Sequence, residues 1–290
     1  MRICRFDDNR LGVVEGDMVK DVTAVLDALP SLKWPVPHGD HFIANLATMR
    51  PLMQKALADA PVKRLSDVKL LSPVANPTKI IGAPLNYHDH IEESKNNLAI
   101  THGVHGTAYE GFDTPIDKYG LFLKGATGLV GAGEGVELHW PERRNDHELE
   151  LAVIVGAGGK NIARDDAKKH IAGYAIGLDM TVRGPEDRSM RKAADTYSVL
   201  GPYLVTADEI DDPDNLDFEI RVGNESRQKS NTKMLICDVA DLIVRASKIY
   251  RLFPGDIIMT GTPQGVNEVK AGNVMHCWIE KIGEMEVAVR

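Results

Sequence analysis

Glu148 and Glu150 head a run from Asp146 to Val155 that becomes wholly apolar from Leu151 onward. Residues two apart in a strand share a face, so both carboxylates should project to one side, about 6 to 7 Å apart along the backbone. Two acids at the end of a buried strand repel each other unless a cation joins them; otherwise the strand end emerges into water with both acids hydrated. A third acid, Asp179, closes the run Gly173 to Asp179, a second predicted buried strand. Three carboxylates without His or Cys suit a hard cation, Mg²⁺ or Mn²⁺, with Ca²⁺ a further option. Three protein oxygens leave about three positions of an octahedral shell open. A chelating substrate can fill two of them and a water the third.

His90 and Glu93 offer a second kind of chemistry. At i, i+3 in a predicted helical turn their side chains can meet, and the carboxylate can orient the imidazole as a general base. A lone His on such a turn is more often a surface or capping group, and His88 and Asp89 beside it read as structural. Arg183 and Lys192 are candidates for holding an anionic substrate against three carboxylates and one divalent ion, although either alone would default to a solvated surface charge. Lys124, after Leu121-Phe122-Leu123, is a weaker substrate-side candidate. In Thr260-Gly261-Thr262-Pro263-Gln264-Gly265, the Gly-flanked Thr262 lets a hydroxyl and backbone N–H groups approach a ligand, or the segment is a plain strand-ending turn.

The elements that must position these residues divide into two predicted domains. Residues 1–72 read as a small N-terminal domain with short strands at Ile3 to Phe6, Arg10 to Val14 and Met18 to Val22. Helical stretches follow at Val22 to Leu29 and Phe42 to Leu57. Residues 73–290 carry predicted strands at Lys79 to Gly82, Leu149 to Val155, Gly173 to Asp179, Tyr203 to Thr206, Phe218 to Val222, Asp256 to Thr260 and Val274 to Ile279. Candidate helices there, besides the turn that carries His90 and Glu93, are Asp165 to Ala172 and Val239 to Tyr250. Strands outnumber helices without βαβ alternation, so a mixed, mainly antiparallel α+β architecture is expected. Ser94 to Gly120, turn-rich and directly after His90 and Glu93, reads as part of a lid spanning about 88 to 120.

The chain has 290 residues, 43% hydrophobic and 26% charged, which is globular composition. A net charge of -8 disfavours nucleic acid as a partner. No window approaches a membrane span, and the acids at Asp7 and Asp8 interrupt any leader-like run. Three distant cysteines, Cys4, Cys237 and Cys277, make a disulfide framework improbable and point to the cytoplasm. Gly131 to Gly135 fails the dinucleotide fingerprint at Val136, and Gly156 to Lys160 lacks phosphate-loop spacing; both read as turns. No Gly-x-Ser-x-Gly elbow occurs.

Taken in order, these pieces resemble the fumarylacetoacetate hydrolase family over about 77 to 288. Gly82 to Glu93 is similar to the family's Asn-Tyr-x-x-His-x-x-Glu segment. Then come Glu148-x-Glu150, Asp179 with Arg183, Lys192 before Asp195-Thr196 and Gly201-Pro202, and Pro254 to Gly265. The resemblance implies a mixed β-sandwich roll with a small N-terminal domain, and a homodimer. It implies a divalent metal on Glu148, Glu150 and Asp179, with His90, Glu93 and Lys192 as catalytic groups. Arg183, Glu186, Lys124 and Thr262 would bind substrate. Glu186 stands where the family often has a substrate-facing Gln and, when ionised, only accepts hydrogen bonds. The implied reaction is hydrolysis of an acylpyruvate C–C bond, such as that of fumarylpyruvate or maleylpyruvate, in aromatic catabolism. Oxo-diacid decarboxylation, or isomerisation or hydration of a 2-oxo-enoate, is the alternative. A non-catalytic metal-dependent binding protein would not require a base.

Overall fold

A computed structural model describes residues 1–101 and 111–290. The middle of the expected lid, with His102 and His105, lies outside the described residues. The carboxylate strand occupies Leu149–Val155 and every residue in it is buried. It pairs antiparallel with Ile171–Asp179, which pairs in turn with Ser198–Thr206. These runs are apolar on both faces because both faces are covered. Leu149, Leu151, Val153 and Val155 face one hydrophobic cluster, whereas Ala152 and Ile154 face the other.

Around this centre, the described residues form a 12-stranded sheet. Ile257–Met259 pairs with the other edge of the carboxylate strand and runs parallel to Ile80–Gly82, which pairs with Phe122–Lys124. At the opposite flank Arg2–Phe6 pairs with Ser198–Thr206, so the N-terminal strands extend the same sheet. The mainly antiparallel α+β expectation holds, with the parallel pairs at Ile257–Met259 and at Val199 with Val130 as its mixed component.

A second sheet of four antiparallel strands is built from Asp217–Val222, Glu225–Asn231, Val274–Ile279 and Gly283–Ala288. Phe218, Ile220, Met275 and Ile279 alternate with more exposed positions and pack in the cluster that holds Leu151 and Val153. The helix Val239–Ile249 joins that cluster through Val239, Leu242, Ile243 and Ala246. The Asp238 side chain caps it, accepting from the Asp241 N–H at 2.8 Å. Across the large sheet, Met49 and Met53 of the helix Leu46–Ala56 pack in the cluster of Ala152 and Ile154.

Three helical expectations are corrected. Asp165 to Ala172 is a 3-10 segment, Arg164–His170, followed at once by strand. Only Ala167 is buried there, so no apolar stripe exists to hold an α-helix, and Ile171 is taken into pairing with Val155. Val22 to Leu29 is likewise 3-10, at Thr23–Ala28, with no buried residue. The run from Phe42 is divided at Asn45 into His41–Ala44 and Leu46–Ala56.

Candidate active site

Sheet register assembles the acids. Glu148 and Glu150 have the parity of Ala152 and Ile154, so they extend that face of the strand past its apolar part. Glu150 lies opposite Gly177, and the Asp179 N–H donates to the Glu148 carbonyl at 2.9 Å. Gly177 therefore puts no side chain between the acids of the two strands. One oxygen from each of Glu148, Glu150 and Asp179 falls within a 4.8 Å set, and all three residues are buried.

Buried acids this close need positive charge, and the surrounding residues show how strongly. Lys192 Nζ bridges Glu148 and Asp179, each at 2.7 Å, and donates to Thr181 Oγ1 at 2.6 Å. Arg183 donates to Asp146 and to Glu148, both at 2.8 Å. Lys124 Nζ pairs with Asp179 and donates to the Lys192 carbonyl at 2.7 Å. Among the described residues Glu150 has no such partner; the Gly261 N–H donates to it at 2.7 Å. Its carboxyl is pushed well above the usual range by burial and by repulsion from Asp179 and Glu148. Burial opposes ionisation of Glu148 too, but Lys192 and Arg183 outweigh it and hold that carboxyl low. The donor set fits a hard divalent cation: three clustered carboxylate oxygens, no sulfur, and an ammonium already drawn between two of them.

The structure brings His90 and Glu93 together. The helix His88–Asn96 turns His90 and Glu93 to one face, with Nδ1 to Oε2 at 2.9 Å. Glu93 is anchored from behind, because its Oε1 accepts from the Gly265 N–H at 3.0 Å. Gly265 sits at φ 96°, and a Cβ there would lie 2.0 Å from the Arg227 carbonyl oxygen, so this approach requires glycine. His90 lines the same pocket as the three acids.

Thr262 also reaches that pocket, but its hydroxyl donates inward to the Leu149 carbonyl at 2.9 Å. Arg183 and Lys192 line the pocket while bound to its acids, and Lys124 grips Asp179 from within the protein. Glu186 is placed apart. Its carboxylate pairs with Arg143 at 2.8 and 3.1 Å and lines an outer cavity rather than the acid pocket.

Several residues escaped the sequence reading. Buried Gln228 accepts from the Leu149 N–H at 3.0 Å and donates to Thr262 Oγ1 and the Pro263 carbonyl, both at 2.8 Å. It ties the carboxylate strand to the Thr262 turn across two sheets, and nothing in the polar run Glu225 to Asn231 marks it. Asn86 makes three hydrogen bonds, to the Cys237 N–H and carbonyl and to the Thr260 carbonyl, fixing the chain just before the His90 helix. Arg188 and Arg191 line the acid pocket. The only signal for them was i, i+4 and adjacent spacing to Lys192.

Comparison with known proteins agrees with this geometry. The model of the fumarylacetoacetate hydrolase C-terminal region matches residues 79–290. Maleylpyruvate hydrolase of Aquipseudomonas alcaligenes is 50% identical over 290 residues, covering 100% of this chain and 99% of that protein. Human mitochondrial oxaloacetate tautomerase FAHD2A is 34% identical over 82% of this chain and 74% of its own length. The crystal structure of maleylpyruvate hydrolase from Sphingobium sp. SYK-6, in complex with manganese(II) and pyruvate, superposes with a TM-score of 0.82. It is 39% identical and covers 100% of this chain and 98% of that one. The chain belongs to the fumarylacetoacetate hydrolase family.

Proposed function

We propose that the protein hydrolyses the C–C bond of an acylpyruvate, maleylpyruvate or fumarylpyruvate, to pyruvate and a carboxylic acid in aromatic catabolism, using a divalent metal. The observation that carries the reading is the convergence of His90–Glu93 and the Glu148, Glu150 and Asp179 cluster on one pocket. Glu148, Glu150 and Asp179 would hold Mn²⁺ or Mg²⁺, with Ca²⁺ a further option. When bound, the metal supplies a Lewis acid for the oxygens of the pyruvoyl end. His90, with Nδ1 engaged by Glu93, has Nε2 available to take a proton from water as the oxygen attacks the distal carbonyl. The C–C bond then breaks, the acyl part leaves as a carboxylic acid, and the pyruvate carbon receives a proton. Lys192 stands beside the charge that develops on the departing pyruvate.

The broader setting we infer is a cytoplasmic homodimer acting on a small anionic oxo-acid, with 1–72 as a small N-terminal domain. Its three cysteines are buried and unpaired, and no helix among the described residues is long and apolar enough to cross a membrane. Decarboxylation of an oxo-diacid or isomerisation of a 2-oxo-enoate needs the same metal but no attacking water, and hydration of a 2-oxo-enoate adds water to a C=C bond rather than to a carbonyl. The relatedness to an oxaloacetate tautomerase keeps that second reading in view. Incubation of the Mn²⁺ enzyme with maleylpyruvate, fumarylpyruvate and oxaloacetate, with product identification, tests both. Release of pyruvate with maleate or fumarate is expected; enol–keto conversion or CO₂ release alone would overturn the hydrolase reading.

A further inference from the structure

We infer that Arg188 is the specificity residue of this pocket and binds a carboxylate at the far end of the substrate, so that the preferred substrates are acylpyruvates whose acyl chain itself ends in an acid. The inference rests on the acylpyruvate reading and adds to it the residue that would read the distal carboxylate of maleylpyruvate or fumarylpyruvate. The inner pocket, about 50 Å³, is bounded by the three acids, His90 and the apolar Pro84 and Leu85. Its volume suits about four waters, too little to enclose a seven-carbon acid. The acyl chain must therefore leave it. Phe122, Arg188 and Arg191 line both this pocket and an adjoining outer cavity of about 530 Å³. These three residues form the boundary that a chain leaving the acids would cross.

The cations nearest the acids are already engaged. Lys192, Lys124 and Arg183 each bind carboxylates of the cluster, and Arg191 donates to the Glu186 carbonyl at 2.9 Å. Arg188 differs. Among the described residues its guanidinium makes no hydrogen bond or ion pair, and its recorded contact is with the Phe122 ring, 5.1 Å from the centroid. Lys192 Nζ lies 5.4 Å from the same centroid. One aromatic ring is thus in contact with both the cation that touches the acids and a cation with donors to spare. Stacking on an aromatic face fixes the plane of a guanidinium and leaves its N–H edge for a planar, two-oxygen acceptor, a geometry a carboxylate matches.

Glu186 cannot serve in this role. It is an acceptor occupied by Arg143, and an anionic chain end would be repelled by it. The position where the family often carries a Gln is thus closed to a carboxylate, while Arg188, two residues further on, opens to one. Burial lowers the Arg188 pKa, with Asp179, Asp187 and Glu148 opposing, but a guanidinium starts high enough to stay charged.

The test compares two non-hydrolysable ligands, 2-oxoheptanedioate and 2-oxoheptanoate, which differ only in a terminal carboxylate against a methyl. Both are titrated calorimetrically into the full-length Mn²⁺-loaded protein and its Arg188→Gln variant. The wild-type protein should prefer the diacid by about 10- to 100-fold, a charge-assisted contact. That preference should shrink with added salt and fall close to unity in Arg188→Gln. A wild-type protein without preference, or a variant that loses affinity for both ligands equally, would overturn the assignment. Parallel assay of wild-type maleylpyruvate cleavage separates the two ideas. Cleavage without diacid preference sinks the role of Arg188 alone. Diacid preference without cleavage sinks the hydrolase reading and leaves the subsite standing.

Discussion

At the scale of single residues, the site separates groups that hold charge from groups that move protons. Glu150 is the acid without a cationic side-chain partner, which makes it the ligand most dependent on an added cation. Glu150→Ala should weaken Mn²⁺ binding by more than about 100-fold, beyond what loss of an outer-shell group costs. Calorimetric titration giving wild-type affinity would remove Glu150 from the ligand set. Among the described residues His90 hydrogen-bonds to Glu93 rather than to an acid of the cluster, so His90→Ala should keep Mn²⁺ affinity while acylpyruvate cleavage falls by about 10² to 10⁴. Any decarboxylation should fall far less, since it needs no attacking water. Parallel loss of both activities in a folded, metal-binding variant would contradict the water-activating role.

At the scale of elements, the carboxylate strand is held from three sides. The Ile171–Asp179 register brings Asp179 beside Glu148, and Ile257–Met259 closes the other edge. Gln228, from the second sheet, then satisfies the Leu149 N–H next to both glutamates. Gln228→Ala leaves that buried N–H without its acceptor and should cost about 1 to 3 kcal/mol. For a chain of this length that lowers the thermal midpoint by roughly 2 to 4 °C per kcal/mol. An unchanged midpoint in a calorimetric scan would show that another acceptor replaces it. The strand from Leu149 was legible as a nearly unbroken apolar run, and the helix from Val239 because its burial follows the helical period. The 3-10 segments were not, because neither has a buried apolar stripe behind it: Arg164–His170 is charge-rich with only Ala167 buried, and Thr23–Ala28 buries no residue.

At the scale of the whole molecule, the N-terminal segment is joined to the rest by more than its shared sheet. Arg50, on the helix Leu46–Ala56, pairs with Asp208 at 2.7 Å, and that hydrogen bond is the largest influence holding the Asp208 carboxyl at about 2. A carboxyl whose folded pKa lies below its unfolded value stabilises the fold above the unfolded pKa, and that contribution fades as pH falls from about 4 to about 2. Both partners are substantially exposed, so the contribution stays below about 1 kcal/mol. Asp208→Asn should lower the thermal midpoint slightly at pH 7, and the difference should vanish near pH 2. A difference that does not change with pH would place the effect in packing rather than in charge.

Local pattern alone determined much of this protein. Apolar runs located the strands that hold Glu150 and Asp179, with Glu148 just before the first of them, and i, i+3 spacing paired His90 with Glu93. Those are short-range properties, set by backbone periods of 2 and 3.6 residues. Tertiary structure decided what no period encodes. Cross-strand register placed Asp179 beside Glu148, and Gln228 reached the site from a different sheet. Lys124 and Lys192 converged on Asp179 from positions 68 residues apart in the chain. Glu186 turned to Arg143, and Arg188 came to line both the acid pocket and the outer cavity. The reason is that a charged side chain's partner is chosen by distance in space and by the desolvation that burial imposes, and both are set only when the sheets close.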